Sequence, residues 1–197
     1  MLLADVCSAR TGLTMRERLA DTRPGGTLAV QQGDITAKGT FRSESAVRIA
    51  APDQSSHRVL ANELVFRSRG PFWSAWAPGD YPEPIVAVAP LFILTPTPEA
   101  HAQYLAWHIG RPTAQSYFRS VAAGTNVQMI ALGALLRLPI DLPPLDTQTA
   151  IVAAAELADR ERDLARHVAE LKYDALAAGL DRRSKALTHT PTGRNDR

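Results

Sequence analysis

Leu138-Pro139-Ile140-Asp141-Leu142-Pro143-Pro144-Leu145-Asp146-Thr147-Gln148 decides how this chain is organised. Its apolar residues and prolines read as extended backbone, because proline withholds an N–H and steers the residue before it away from the helical region. Directly after Pro144 the pattern becomes helical. Asp146 reads as the N-cap and Leu145 as the staple residue before it. From Thr147 to Gly179 such a helix would span roughly 50 Å at the standard rise per residue, too long for one layer of a small core. Gly179 reads as its stop, and Thr188 to Arg197 as a frayed tail. The junction therefore predicts a compact domain over 1–145, a long helix over 146–180 and a flexible tail over 181–197.

Within the helix Leu157, Leu164 and Leu171 recur seven apart, and Ala154, Val168 and Ala175 fill the companion positions of the heptad. Glu161 interrupts that seam and needs a basic partner. Asp159, Arg160, Arg162, Asp163, Arg166, Glu170 and Lys172 make a mixed-charge face between the stripes. A helix can also pack back on its own domain, but a seam flanked by charges favours a partner helix. Small residues such as Ala154 and Ala175 suit close approach in an antiparallel pair.

Upstream, short β-leaning runs alternate with turn residues. Thr27–Val30, Val47–Ala50, Glu63–Phe66, Ile85–Val88 and Pro90–Thr95 read as strands, separated by Gly25-Gly26, Gly33-Asp34, Pro52-Asp53, Gly70-Pro71 and Pro78-Gly79. From Glu99 to Val121 the period lengthens to that of a helix broken at Gly110–Pro112. Residues 122–129 read as a loop, followed by a short helix or turn. The expected fold class is α+β: a mixed or antiparallel β-rich domain with helices, followed by a long coiled-coil-type helix.

Composition narrows the function classes without choosing one. The 197 residues are 45% hydrophobic and 21% charged, which fits a globular domain plus an appendage. No apolar run reaches membrane-spanning length, and the start lacks a basic leader, so a soluble cytoplasmic protein is expected. One cysteine, Cys7, provides neither an intrachain disulfide nor a zinc cluster, and reads as a small buried hydrophobe. A formal net charge of +2 means that any nucleic-acid surface must be a local arrangement of Arg and Lys.

Enzyme signatures are missing. No dinucleotide-binding or phosphate-binding glycine loop is present. Nor is there an Asn-Pro-Pro-Tyr or Asp-Pro-Pro-Tyr element to hold a flipped base. Pro52-Asp53 with Glu63 faintly resembles a metal-dependent nuclease, yet Val65 stands where that pattern needs lysine. His101 and His108, without a Cys or carboxylate beside them, read as packing or surface groups, so no metal is expected. Basic and polar residues near turns are more informative. Arg10-Thr11, Lys38 and Arg42, Arg67 and Arg69, and Thr125-Asn126 offer guanidinium, hydroxyl and amide groups suited to phosphates and base edges. Each alone is more often a solvated surface group; together they point to DNA.

These residues fall into an ordered set that resembles the specificity (S) subunit of type I restriction-modification systems, in a form with a single target-recognition domain. The matching elements are Arg10-Thr-Gly-Leu-Thr14, Gln32-Gly-Asp-Ile35, Val59-Leu-Ala-Asn-Glu-Leu-Val-Phe66 with Arg69-Gly70, and Pro90-Leu-Phe-Ile93. Gln103-Tyr-Leu-Ala-Trp107, Gly124-Thr125 and Leu138 to Gln148 with Ile151 complete it, so that residues 3–180 are covered. The resemblance implies a non-catalytic, cofactor-free reader of one half of a bipartite duplex-DNA target. Its helix would act as spacer and as dock for the methyltransferase (M) subunit, with a restriction (R) subunit as a further associate. The family form carries two recognition domains and two spacer helices, whereas this chain has one of each. Pairing through Leu157, Glu161, Leu164, Val168 and Leu171, with a second copy or another specificity chain, would supply the rest. Glu63 departs from the Gly-Asp turn that often precedes this strand in the family. The rival readings are a degenerate half-subunit serving as a dimeric scaffold or regulator, and a stand-alone nuclease.

Overall fold

The computed structural model describes residues 1–15, 26–50 and 56–188, so the expected Gly25 and Pro52-Asp53 turn residues and most of the tail lie outside them. The strands are β1 (Cys7–Thr11), β2 (Thr27–Val30), β3 (Val47–Ile49), β4 (Leu64–Arg67), β5 (Ser74–Trp76), β6 (Ile85–Ala87) and β7 (Phe92–Pro96). The helices are α1 (Ala102–Gly110), α2 (Pro112–Val121), α3 (Leu132–Leu136) and α4 (Leu145–Thr188). Every strand expected from the sequence is present within one or two residues, and the helix break falls at Arg111 with Pro112 opening α2. Proline fits there because the first helical N–H has no acceptor to lose.

Two sheets carry the domain. One is antiparallel, in the order β1-β7-β4-β5; the other is mixed, in the order β3-β2-β6, with β2 antiparallel to β3 and parallel to β6. The period-2 alternation of strand side chains divides the core. Leu64 and Phe66 of β4 and Leu94 of β7 point to one face, where they meet Tyr104, Leu105, Ile109 and Phe118 of the helices. Val65 and Ile93 point to the other face and join Val30, Ile35, Ile85 and Leu91. Strands β4 and β7 at the centre of the four-stranded sheet are thus buried on both sides, which explains their nearly continuous apolar runs.

The junction that organises the sequence is extended, as its prolines require. Leu138 and Ile140 are buried while Pro139 and Asp141 are exposed. The Leu3 N–H donates to the Leu138 carbonyl at 2.9 Å, and Tyr104 Oη donates to the Asp141 carbonyl at 2.6 Å. Then α4 begins at Leu145, one residue earlier than expected, so Asp146 lies in the first turn instead of at the cap. There its Oδ1 accepts the Thr147 N–H at 2.7 Å, which suits an acid near the positive end of a helix. Leu145 lies inside the first turn of the helix and not before its cap, and it is exposed.

Residues Met1–Val152 form one compact unit, and the second unit begins at Ala153, not at 146. The first two turns of α4 belong to the first unit because Gln148 is fully buried and Ile151 and Val152 pack against its core. At the far end α4 runs through Gly179 to Thr188, correcting the expected stop at 180. An internal glycine costs a helix only about 1 kcal/mol, and Leu180, Arg182, Arg183 and Lys185 around it are good helix formers. No helix among the described residues is long and apolar enough to cross a membrane.

Candidate nucleic-acid interface

Arg67, the last residue of β4, pairs in register with Ser74 of β5, and these two positions gather their surroundings. Ser74 Oγ donates to the Thr36 carbonyl at 2.8 Å, fastening the 36–40 turn to the sheet. That turn carries Lys38, and Gly39 adopts φ +73° with its Cα against the Ala75 carbonyl, where any side chain would collide. Arg67 Nη1 donates to the Ile35 carbonyl at 2.9 Å, and its guanidinium lies 4.0 Å from the centre of the Phe72 ring. Arg42 Nη2 donates to the Gly33 carbonyl at 2.6 Å, two residues from the acceptor of Arg67. Burial, and secondarily the like charge of Arg42, lowers the Arg67 pKa from its ordinary value, an electrostatic sign that the two cations share one locale.

The 123–129 loop is stitched to the same edge. Gly70 N–H donates to the Gln128 carbonyl at 3.1 Å, Ile130 N–H donates to the Ser68 carbonyl at 2.9 Å, and Arg69 bridges Met129. Arg69 Nε also reaches the Met129 sulfur at 3.2 Å. Residues 123–128 are exposed, so Thr125 and Asn126 carry their hydroxyl and amide groups on a solvent-facing loop whose far end is bonded to the 68–70 segment. Six of the expected contact residues, Lys38, Arg42, Arg67, Arg69, Thr125 and Asn126, are therefore carried by segments bonded to one another at one edge of the sheet.

Arg10 is placed otherwise. Its Nη1 and Nη2 donate to the two Glu63 oxygens at 2.5 and 2.8 Å, Nη1 also to Thr95 Oγ1 at 2.9 Å. Nε and Nη2 reach the Ser56 and Arg58 carbonyls at 2.8 and 2.9 Å. All five guanidinium donors are spent inside the protein, leaving none to read DNA. Glu63 is 2% exposed. Burial by itself would raise its pKa, but the hydrogen bonds from Arg10, Thr95 and the Leu60 N–H outweigh that and hold the carboxyl below its usual value. A carboxylate so paired is an anchor, not a metal ligand. Thr11, next in β1, is exposed, and its carbonyl lies 3.0 Å from His57 Nδ1.

The remaining groups set aside in the sequence have structural partners. His101 donates its backbone N–H to Gln148 Oε1 at 2.9 Å, and the ring Nε2 of His108 lies 3.1 Å from the Pro139 carbonyl. Cys7 is buried, which pushes its thiol up to about 12. Sequence reasoning missed Gln148 as an anchor: its Nε2 donates to the Glu99 and Pro143 carbonyls at 2.8 Å each.

In the second unit the seam residues are exposed, with Leu157 at 62% and Leu164 at 66%, and Val168 and Leu171 close behind. Tyr173, Leu176 and Leu180, which the heptad reading left out, are also exposed. With Ala169 they form a second apolar stripe, rotated by roughly 140° from the first at about 100° per residue.

No protein-family model matches the chain, and no curated protein matches it. Solved structures do. A chain from a type I R-M system, whose complex assembly and conformational transition that structure addresses, superposes with TM-score 0.60 at 20% identity, over 94% of this chain and 43% of that one. The S subunit of a type I restriction-modification system from M. genitalium gives 0.54 at 15% identity over 81% and 38%. The HsdS subunit from Thermoanaerobacter tengcongensis gives 0.56 at 19% identity over 81% and 36%. The chain thus spans about two fifths of the solved chains that it matches, and its fold is that of the type I restriction-modification S subunit.

Proposed function

We propose that the chain is a non-catalytic DNA-recognition module that reads one half of a split duplex target for a type I methyltransferase. The observation that carries this reading is the convergence of Lys38, Arg42, Arg67, Arg69, Thr125 and Asn126 on one edge of the sheet, in a fold shared with S subunits. Guanidinium and ammonium groups supply the sequence-independent attraction to phosphates, and Asn126 with the arginines supplies base-edge selectivity. Arg10 acts as an internal brace, and Thr11 stays in the contact set as an exposed neighbour. Chemistry then belongs to the methyltransferase subunit, and the protein works in the cytoplasm beside its DNA.

Two copies pair through α4 by Leu157, Glu161, Leu164, Val168 and Leu171, which makes the target a spaced palindrome. The second apolar stripe, Tyr173, Leu176 and Leu180, leaves a face of the same helix for the methyltransferase subunit. Selection from random duplex DNA by the chain with its methyltransferase subunit is the test. Enrichment of a two-part motif with a fixed gap is expected, and recovery of no motif would overturn the proposal in favour of a scaffold.

A further inference from the structure

Pairing through α4 leaves open which residues meet. We infer that a second copy packs antiparallel with the two-fold axis passing between Ala169 and Glu170, an inference that rests on the pairing reading above. In this register Val168 faces the partner's Leu171 on either side of the axis, and Leu164 faces the partner's Ala175, so the large aliphatic pairs sit at the centre and a large residue meets a small one beside them. Arg160 meets the partner's Asp181, and His167 meets the partner's Asp174, each contact occurring twice by symmetry.

Charge along the helix selects the direction. Residues 153–164 hold Glu156, Asp159, Glu161 and Asp163 against Arg160 and Arg162, a negative segment. Residues 165–185 hold Arg166, Lys172, Arg182, Arg183 and Lys185 against Glu170, Asp174 and Asp181, a positive one. Antiparallel pairing lays the negative segment on the positive one. Parallel pairing would instead set Glu161 against its own copy inside the apolar seam, two carboxylates with no cation between them.

The seam and its flanks then choose the register. With the axis between residues 169 and 170, Glu161 faces the partner's Ala178, a small residue, and the partner's Arg182, which lies opposite Leu157 one helical turn away, comes within reach of the Glu161 carboxylate. Moving the axis back by half a heptad, to residue 166, would press Glu161 onto the partner's Leu171 and set His167 against its own copy. Arg160 has its side chain exposed on α4 and donates Nε to the Glu156 carbonyl at 3.3 Å.

Spin labels at Asp159→Cys and Tyr173→Cys, each in a Cys7→Ala background of the full chain, test the register by pulsed dipolar spectroscopy. At 1.5 Å per residue the two copies of position 159 should stand roughly 32 Å apart along the helix axis, and those of position 173 roughly 11 Å. The distance at 159 should exceed that at 173 by on the order of 10 Å, taking in the lateral offset of the helices. Equal distances at the two sites overturn the register while leaving the dimer intact. A monomer by sedimentation overturns the pairing reading itself, and the DNA-reading proposal is judged apart from both, by its selection experiment. Charge reversal gives an independent check in the native-cysteine protein. Arg160→Asp or Asp181→Arg alone should weaken dimerisation about tenfold, since two exposed pairs change sign, and the double variant should restore it. Failure of the double variant to restore it overturns the register.

Discussion

Arg10 and Glu63 close a two-pronged pair, Nη1 to Oε1 at 2.5 Å and Nη2 to Oε2 at 2.8 Å, between the edge strand β1 and the start of β4. The same guanidinium holds the Ser56 and Arg58 carbonyls, so one side chain ties a sheet edge to the segment that leads into β4. Removing it leaves a buried carboxylate with only the Thr95 hydroxyl and the Leu60 N–H as donors. Arg10→Ala should cost about 3 kcal/mol in urea unfolding, the range for breaking a buried pair from one side. Adding Glu63→Gln should recover part of that loss, because the orphaned charge is then gone. Neither change should alter the DNA motif selected by protein that remains folded.

Acid should weaken the fold in two steps. His108 has its pKa lowered, first by burial, so the folded state binds its proton less readily than the unfolded chain. Stability from this group falls as the pH drops below about 6.5, the ordinary histidine value, and levels off once the folded protein also takes up the proton. Glu63 has a lowered carboxyl pKa. Its contribution is full above about 4.3 and is lost as the pH falls through its folded value. Thermal denaturation from pH 7.5 to 3.5 checks this, and His108→Gln should erase the upper step while sparing the lower one.

Gln148 spends its whole amide on the junction: two carbonyls receive its N–H groups and the His101 N–H donates to its oxygen. Gln148→Leu keeps the volume and removes all three bonds, leaving buried backbone groups unpaired. The expected loss is about 3 kcal/mol, read as a lower urea midpoint. Gln148→Glu should fare little better, because a carboxylate cannot donate to the Glu99 and Pro143 carbonyls.

How much of this was legible beforehand differs residue by residue. Thr27–Val30 and Ile85–Ala87 announce themselves as strands because buried sheet positions demand runs of apolar residues. β1, Cys7–Thr11, does not, since an edge strand alternates with polar residues and its Ser8 and Arg10 look like loop chemistry. β5 is three residues long and has no periodicity to find. Arg42, Arg67 and Asn126 were readable as candidate contacts from residue type and turn context. Arg10 shares that type and context; what distinguishes it is Glu63, 53 positions away, and only the folded sheet brings the two together. The long helix was readable from its heptads, but its end was not, because Gly179 stops a helix only where no helix-forming residues follow.

The arginines at the sheet edge should separate by role in DNA binding. Arg42 uses one guanidinium nitrogen on the Gly33 carbonyl and Arg67 uses two, on the Ile35 and Arg69 carbonyls, which fixes the cations without neutralising them. That arrangement suits phosphate contact. Arg42→Ala should weaken binding evenly across sequences and reduce the slope of log affinity against log salt by about 1. Asn126→Ala on the exposed loop should instead relax one position of the selected motif, costing about 1–3 kcal/mol against the preferred base.

Gly124 supplies the sharpest separation between fold and recognition. It adopts φ +112°, and a Cβ there would run into the Val127 carbonyl of its own loop. Backbone strain of this kind costs about 1–3 kcal/mol, which Gly124→Ala can relieve only by rebuilding the 123–129 loop. The loop is exposed and contributes little to the core, whereas Ile130, just after it, is fully buried and should hold the rest in place. Gly124→Ala is therefore expected to shift the urea midpoint by less than Gln148→Leu does, yet to displace Thr125 and Asn126 from the arginines at the sheet edge. Selection from random DNA should then return a weakened or altered half-site with the gap between half-sites unchanged, since α4 is untouched. A motif identical to that of the parent protein would show that the loop does not read DNA.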